Sequence, residues 1–97
     1  MSELDRIKKV LKQNKPTLWK EFKIKELGVF GSYARGEQKK NSDVDILVKF
    51  NQTPGFFDYI KTENRLSAIL KRRVDLVMKG SLKPTIEKYI MREVVYV

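Results

Sequence analysis

The chain has 97 residues, with 21 Lys and Arg against 12 Asp and Glu, for a formal charge of +9. It contains no Cys and no His. Disulfides, thiolate nucleophiles, imidazole bases and the usual zinc sites are therefore excluded, and any acid–base or metal chemistry must run on carboxylates.

This length suits one domain spanning 1–97 with a modest core. Eight of the basic residues fall in the first 25 positions and nine after position 60. The positive field favours anionic partners: a nucleotide, RNA along the basic surface, or an acidic protein face. A solvated, Lys-rich surface has the same composition. No apolar run approaches the ~20 residues of a membrane span, and the opening residues Met1-Ser2-Glu3-Leu4-Asp5-Arg6 carry no apolar signal segment. The expectation is a cytoplasmic protein with no membrane partner.

In chain order, Ser2 and Asp5 make a capping arrangement, and Leu4, Ile7, Val10 and Leu11 recur at helical spacing. The pattern predicts a first helix to about Gln13. Pro16 is expected to end it, with Trp19 and Phe22 anchoring a short connector. Ile24 to Phe30 reads as a strand, followed by a turn at Gly31-Ser32 and a short helix from Tyr33 to about Gln38. Val44 to Phe50 reads as a second strand, entered through Asp43-Val44-Asp45. Val44, Ile46 and Val48 share one face, and Asp43, Asp45 and Leu47 share the other. After the turn cluster Asn51 to Gly55, a helix is predicted from about Phe56 to Lys71 and a third strand from Arg73 to Met78. Ser81 is expected to cap a last helix with Pro84 in its first turn and Leu82, Ile86, Tyr89 and Ile90 as its buried stripe. Val94 to Val97 reads as a short strand or a packed tail. The alternation predicts an α/β (α+β) domain: a mixed sheet of three to four strands with helices mainly on one face.

Three features carry chemistry. Asp43 and Asp45 are two apart on a strand, so their carboxylates share a face and repel. A divalent cation converts that repulsion into coordination, and an oxygen-only donor set suits Mg²⁺ or Mn²⁺. A bare Asp-x-Asp is equally a solvated strand end. Asp75 lies among Val74, Leu76 and Val77, where a charge needs a metal or an ion pair with Arg72 or Arg73, unless it is simply exposed on an edge strand. Gly31 permits close approach of a ligand to the backbone, and Ser32 offers a hydroxyl and an amide to phosphate oxygens. The alternative is an ordinary strand-to-helix turn. Arg35 can contact phosphate, brace an Asp or simply be a surface charge, and Gly36 suits a helix C-cap.

Taken together, Gly31-Ser32, ten intervening residues, Asp43-Val44-Asp45 and a later strand Asp75 resemble the DNA polymerase β-type nucleotidyltransferase superfamily. More closely, the chain is similar to its minimal nucleotidyltransferases, the MNT antitoxins of HEPN/MNT toxin–antitoxin pairs. The resemblance implies a small nucleotidyltransferase-type domain that moves AMP from ATP to a hydroxyl, most typically a tyrosine of a partner HEPN toxin. It implies two Mg²⁺ ions, with Asp43, Asp45 and Asp75 as metal-binding and catalytic residues. Gly31, Ser32 and Arg35 would bind the nucleotide. Two further readings stand beside it: a non-catalytic binding module that neutralises its partner by occlusion, and an RNA-end nucleotidyltransferase.

Overall fold

A computed structural model describes residues 2–97. Its first element, α1 (Glu3–Phe22), starts where Ser2 accepts the Asp5 amide at 3.1 Å and ends at Lys23 in the left-handed region. The helix runs straight through Pro16, contrary to the predicted stop near Gln13. Proline inside a helix costs about 3 kcal/mol through its missing N–H and its clash with the preceding turn. Beyond it, however, Leu18 is fully buried and Trp19 and Phe22 pack on the core. Burying such side chains returns about 1.5–3 kcal/mol each, so packing outweighs the local rule.

The remaining elements are β1 (Ile24–Phe30), α2 (Ser32–Arg35), β2 (Val44–Phe50), α3 (Phe56–Leu70), β3 (Val74–Met78), α4 (Pro84–Glu93) and β4 (Val95–Tyr96). The short helix α2 is one turn, closed by Gly36 at φ 71°, rather than a helix reaching Gln38. β2 has the predicted bounds, Val44–Phe50, which leaves Asp43 just before it. The closing residues form the β4 strand rather than a packed tail.

The four strands are ordered β3-β2-β1-β4. β1 is antiparallel to β2 and β4, while β2 and β3 are parallel, joined across α3. A bulge between Ile24 and Glu26 resets the strand period, so Ile24, Leu27 and Val29 all face the same way. They join Val44, Ile46 and Val48 of β2 and Val74 and Leu76 of β3 beneath α1 and α3. Among the described residues, the opposite face buries only Phe30 and Leu47 against Ile90 of α4, with Val77, Leu82 and Val94 partly covered beside them. Helices thus lie mainly on one face, with α4 the exception.

Two expectations for α4 fail. Ser81 does not cap it: its hydroxyl donates to the Met78 carbonyl at 2.6 Å, and the N-cap position is Lys83. Of the expected buried stripe, Ile86 and Tyr89 are exposed and only Ile90 is fully covered. A ten-residue helix crossing a small sheet has too little opposing surface to cover its whole apolar side.

The outer edge of β3 is closed by side chains of α3. Ser67 Oγ accepts the Val74 amide at 3.1 Å, Glu63 Oε2 accepts the Leu76 amide at 2.9 Å, and the Tyr59 hydroxyl donates to the Leu76 carbonyl. Among the described residues, no helix is long and apolar enough to cross a membrane.

Candidate active site

Register places the acidic residues. Asp45 pairs with Asp75 across the parallel β2–β3 ladder and with Phe30 across the antiparallel β1–β2 ladder. Neighbouring strands lie about 4.8 Å apart, so the backbone brings Asp75 beside Asp45 of the Asp-x-Asp pair. Asp45 and Asp75 alternate with residues of the main core and share the parity of Leu47 and Val77, which pack on the α4 side. Both carboxylates therefore stand on the thinly covered face of the sheet. The Asp43 backbone is fixed at the mouth of β2, where the Val44 amide donates to the Arg73 carbonyl at 2.9 Å.

Burial is the main cause that raises the Asp45 carboxyl to a pKa of about 6, followed by the negative charges of Asp75 and then Asp43. Arg35 pulls the other way and Glu93 adds to the rise. The three aspartates do not converge on a point: among the described residues, no group of three acidic side chains is arranged to hold one ion. Mutual repulsion favours such splaying. The donor set is nevertheless all oxygen, and desolvation and like charge disfavour the ionised form of its innermost member. A hard divalent cation relieves that situation, so these residues fit one in chemistry.

The turn after β1 comes to the same place. Gly31 sits at φ 74°, ψ −153°, a region open essentially to glycine alone. A Cβ at this position would also run into the Asp45 carboxylate, whose Cγ lies 3.0 Å from it. The turn and the aspartate are therefore in direct apposition, which spacing alone could only suggest. Ser32 is half-buried at the start of α2. Tyr33 is buried in the main core and anchors α2, while its hydroxyl donates to the Ser42 carbonyl at 3.4 Å.

Arg35 reaches the site but is already paired. Its guanidinium donates to Glu93 at 2.8 Å and to Glu37 at 3.0 Å. The hydrogen bond to Glu93, then that to Glu37, raise its pKa above the ordinary guanidinium value. Glu93 Oε1 also accepts the Gly31 amide at 3.0 Å. Sequence reasoning missed Glu93. The one signal for it was an acidic residue in the last turn of a helix, where the dipole disfavours negative charge.

Comparison with known proteins agrees with this geometry. The family model for the nucleotidyltransferase domain matches residues 4–97. The chain is 52% identical over 97 residues to the protein adenylyltransferase MntA of Thermococcus cleftensis, covering all of this chain and 98% of that protein. It is 43% identical over 98 residues, all of both chains, to a candidate protein adenylyltransferase of Methanocaldococcus jannaschii. Among solved structures it resembles a toxin–antitoxin complex with AMP-PNP, at 26% identity and a TM-score of 0.72 over 87% of this chain and 69% of that one. It also resembles a mutant MntA–HpeT toxin–antitoxin complex, at 26% identity and a TM-score of 0.69 over 99% and 72% of the two chains. A glycine turn pressed against an aspartate ladder, within a match running almost end to end, places the chain in the nucleotidyltransferase-domain family, and it is a nucleotidyltransferase.

Proposed function

We propose that this protein is an antitoxin that transfers AMP from ATP to a tyrosine hydroxyl of a partner HEPN-type toxin. The observation that carries the reading is the apposition of Gly31 to Asp45, itself in register with Asp75. One side offers hydrogen-bond donors to phosphate and the other offers carboxylates to metal, as nucleotidyl transfer requires. The activity of the MntA relative supports AMP as the group transferred, and the toxin–antitoxin neighbours support a protein acceptor over an RNA end.

In this reading Ser32 and the Gly31 turn hold the terminal phosphates of ATP. Asp43, Asp45 and Asp75 hold Mg²⁺, or Mn²⁺ in its place. When bound, the metal supplies positive charge against the triphosphate and makes a coordinated hydroxyl more acidic. Asp75, the most exposed of the three aspartates, is free to accept the proton of the acceptor hydroxyl. The acceptor oxygen then bonds to the α-phosphorus, and the bond from that phosphorus to the bridging oxygen breaks. Pyrophosphate departs with the electron pair. Tyr33, buried beneath α2, keeps the turn from shifting while the phosphates change partners.

Partner contact also has a surface to use. Phe56 and Phe57 are 73% and 78% exposed at the start of α3, and they stack edge to face at 5.7 Å. Occlusion of the partner without chemistry would draw on such apolar surface and on the basic face. Incubation with labelled ATP, Mg²⁺ and the product of the neighbouring gene separates the two readings. Label should appear on a partner tyrosine with the wild type and not with Asp43→Asn. Neutralisation of the partner by Asp43→Asn to the wild-type extent, with no label in either case, would leave only occlusion.

A further inference from the structure

Two donors that the turn and α2 present to the site are already taken by one carboxylate. The Gly31 amide donates to Glu93 Oε1 at 3.0 Å, and the Arg35 guanidinium donates to Glu93 Oε2 at 2.8 Å. Glu93 bridges a backbone amide and a guanidinium with its two oxygens, which is how an anionic phosphate group engages such a pair. Its position is otherwise unfavourable. It sits in the last turn of α4, against the negative end of the helix dipole. It also faces the ground that Asp43, Asp45 and Asp75 already make negative. Only the two donors compensate for holding a fourth carboxylate there.

We propose that Glu93 is a built-in occupant of the phosphate site, and that a nucleoside triphosphate binds only when the Glu93 carboxylate gives up Gly31 and Arg35. This rests on the nucleotide-site reading above. Gly31 has a single amide hydrogen, so carboxylate and phosphate cannot both hold it in full. Leaving is easy for Glu93. Its side chain is 26% exposed and turns about three bonds, so it can rotate into water. The backbone beneath it need not move, because the strand that follows is held by Gly28 pairing with Tyr96 and Val29 with Val95. Glu37 can keep Arg35 engaged on its Nε while Nη1 changes partner. Glu93 therefore weakens nucleotide binding by competition, without contributing to the chemistry.

Calorimetric titration of ATP with Mg²⁺ into wild type, Glu93→Gln and Glu93→Ala tests this, with thermal melts as a control for folding. Removing the charge of one competing, hydrogen-bonded carboxylate should tighten ATP binding about 5-fold, and Glu93→Ala should bind at least as tightly as Glu93→Gln. If the wild type binds ATP and both variants bind equally or more weakly, Glu93 is a brace and the proposal is overturned, while the nucleotide site stands. If wild type and variants alike fail to bind ATP, both readings fall together. The unaltered protein gives a separate check by NMR. At saturating ATP, the Glu93 side-chain carboxyl carbon and the Gly31 amide should shift together. A Glu93 carboxyl carbon that stays unmoved sinks the proposal even if a variant does not fold.

Discussion

Against one face of the sheet, α1 and α3 close over a large buried cluster that includes Leu11, Ile46 and Leu66. Against the other, α4 covers only Phe30, Leu47 and Ile90 in depth, and the same face carries Asp45 and Asp75. The two faces share strands and differ only in parity along them. One is dry and sets stability, while the other is left thin enough for a ligand to reach the carboxylates. Charge that would be ruinous in the thick layer is tolerated in the thin one because water and, on the proposed reading, a cation can reach it.

The comparison can be broken most sharply by substituting on the thin face. Asp43→Asn or Asp45→Asn should lower AMP transfer by about 1000-fold, roughly 4 kcal/mol of barrier, with the melting temperature of the metal-free protein unchanged or raised. If Asp45→Asn instead unfolds the chain, Asp45 is structural and the division between faces fails. On the thick face, Leu66→Ala should cost about 3 kcal/mol in chemical denaturation. Below the melting temperature it should leave ATP affinity where it was. Ile90→Ala, in the smaller cluster, should cost less, about 2 kcal/mol, because the site can collapse toward solvent.

The smallest effect is in pH. The Asp45 carboxyl sits at about 6 in the folded protein, above its ordinary 3.8. The folded state therefore holds this proton more tightly than the unfolded chain. Its contribution to stability is fully present below pH ~4 and is lost as pH rises through ~6. The change should be about 1 kcal/mol once the water around a half-exposed group is allowed for. Denaturation midpoints of the metal-free protein across that range, compared with Asp45→Asn, would show it as a slope that the variant lacks.

What could be read from the chain beforehand was whatever depended on short spacing. Gly31, Ser32, Asp43 and Asp45 lie within one strand–turn–strand passage, so their proximity follows from the local elements. Asp75 was legible only as a lone acid among apolar strand residues and through the family resemblance, since the parallel pairing that sets it opposite Asp45 is a property of the assembled sheet. Glu93 was not, since it meets Gly31 from 62 positions away and no period in the sequence records that meeting. Pro16 misled because the rule against it is local, whereas the burial of Leu18 beyond it is not. Ile86 and Tyr89 misled for the converse reason. An apolar stripe tells which side of a helix turns inward, and the extent of the surface waiting for it is set by the rest of the fold.

The bonds from Tyr59, Glu63 and Ser67 to β3 have an effect beyond local satisfaction. A sheet rim with spare amides and carbonyls recruits strands from other molecules, and here the long rim beside Asp75 has its amides at Val74 and Leu76 and the Leu76 carbonyl already spoken for. Extension of the sheet by a foreign chain is left to the two-residue β4 side, too short to hold one firmly. On the proposed reading, an acceptor segment would then meet Asp75 from above the sheet rather than by joining it, side chain first, and concentrated solutions of the protein should resist fibre growth from that flank.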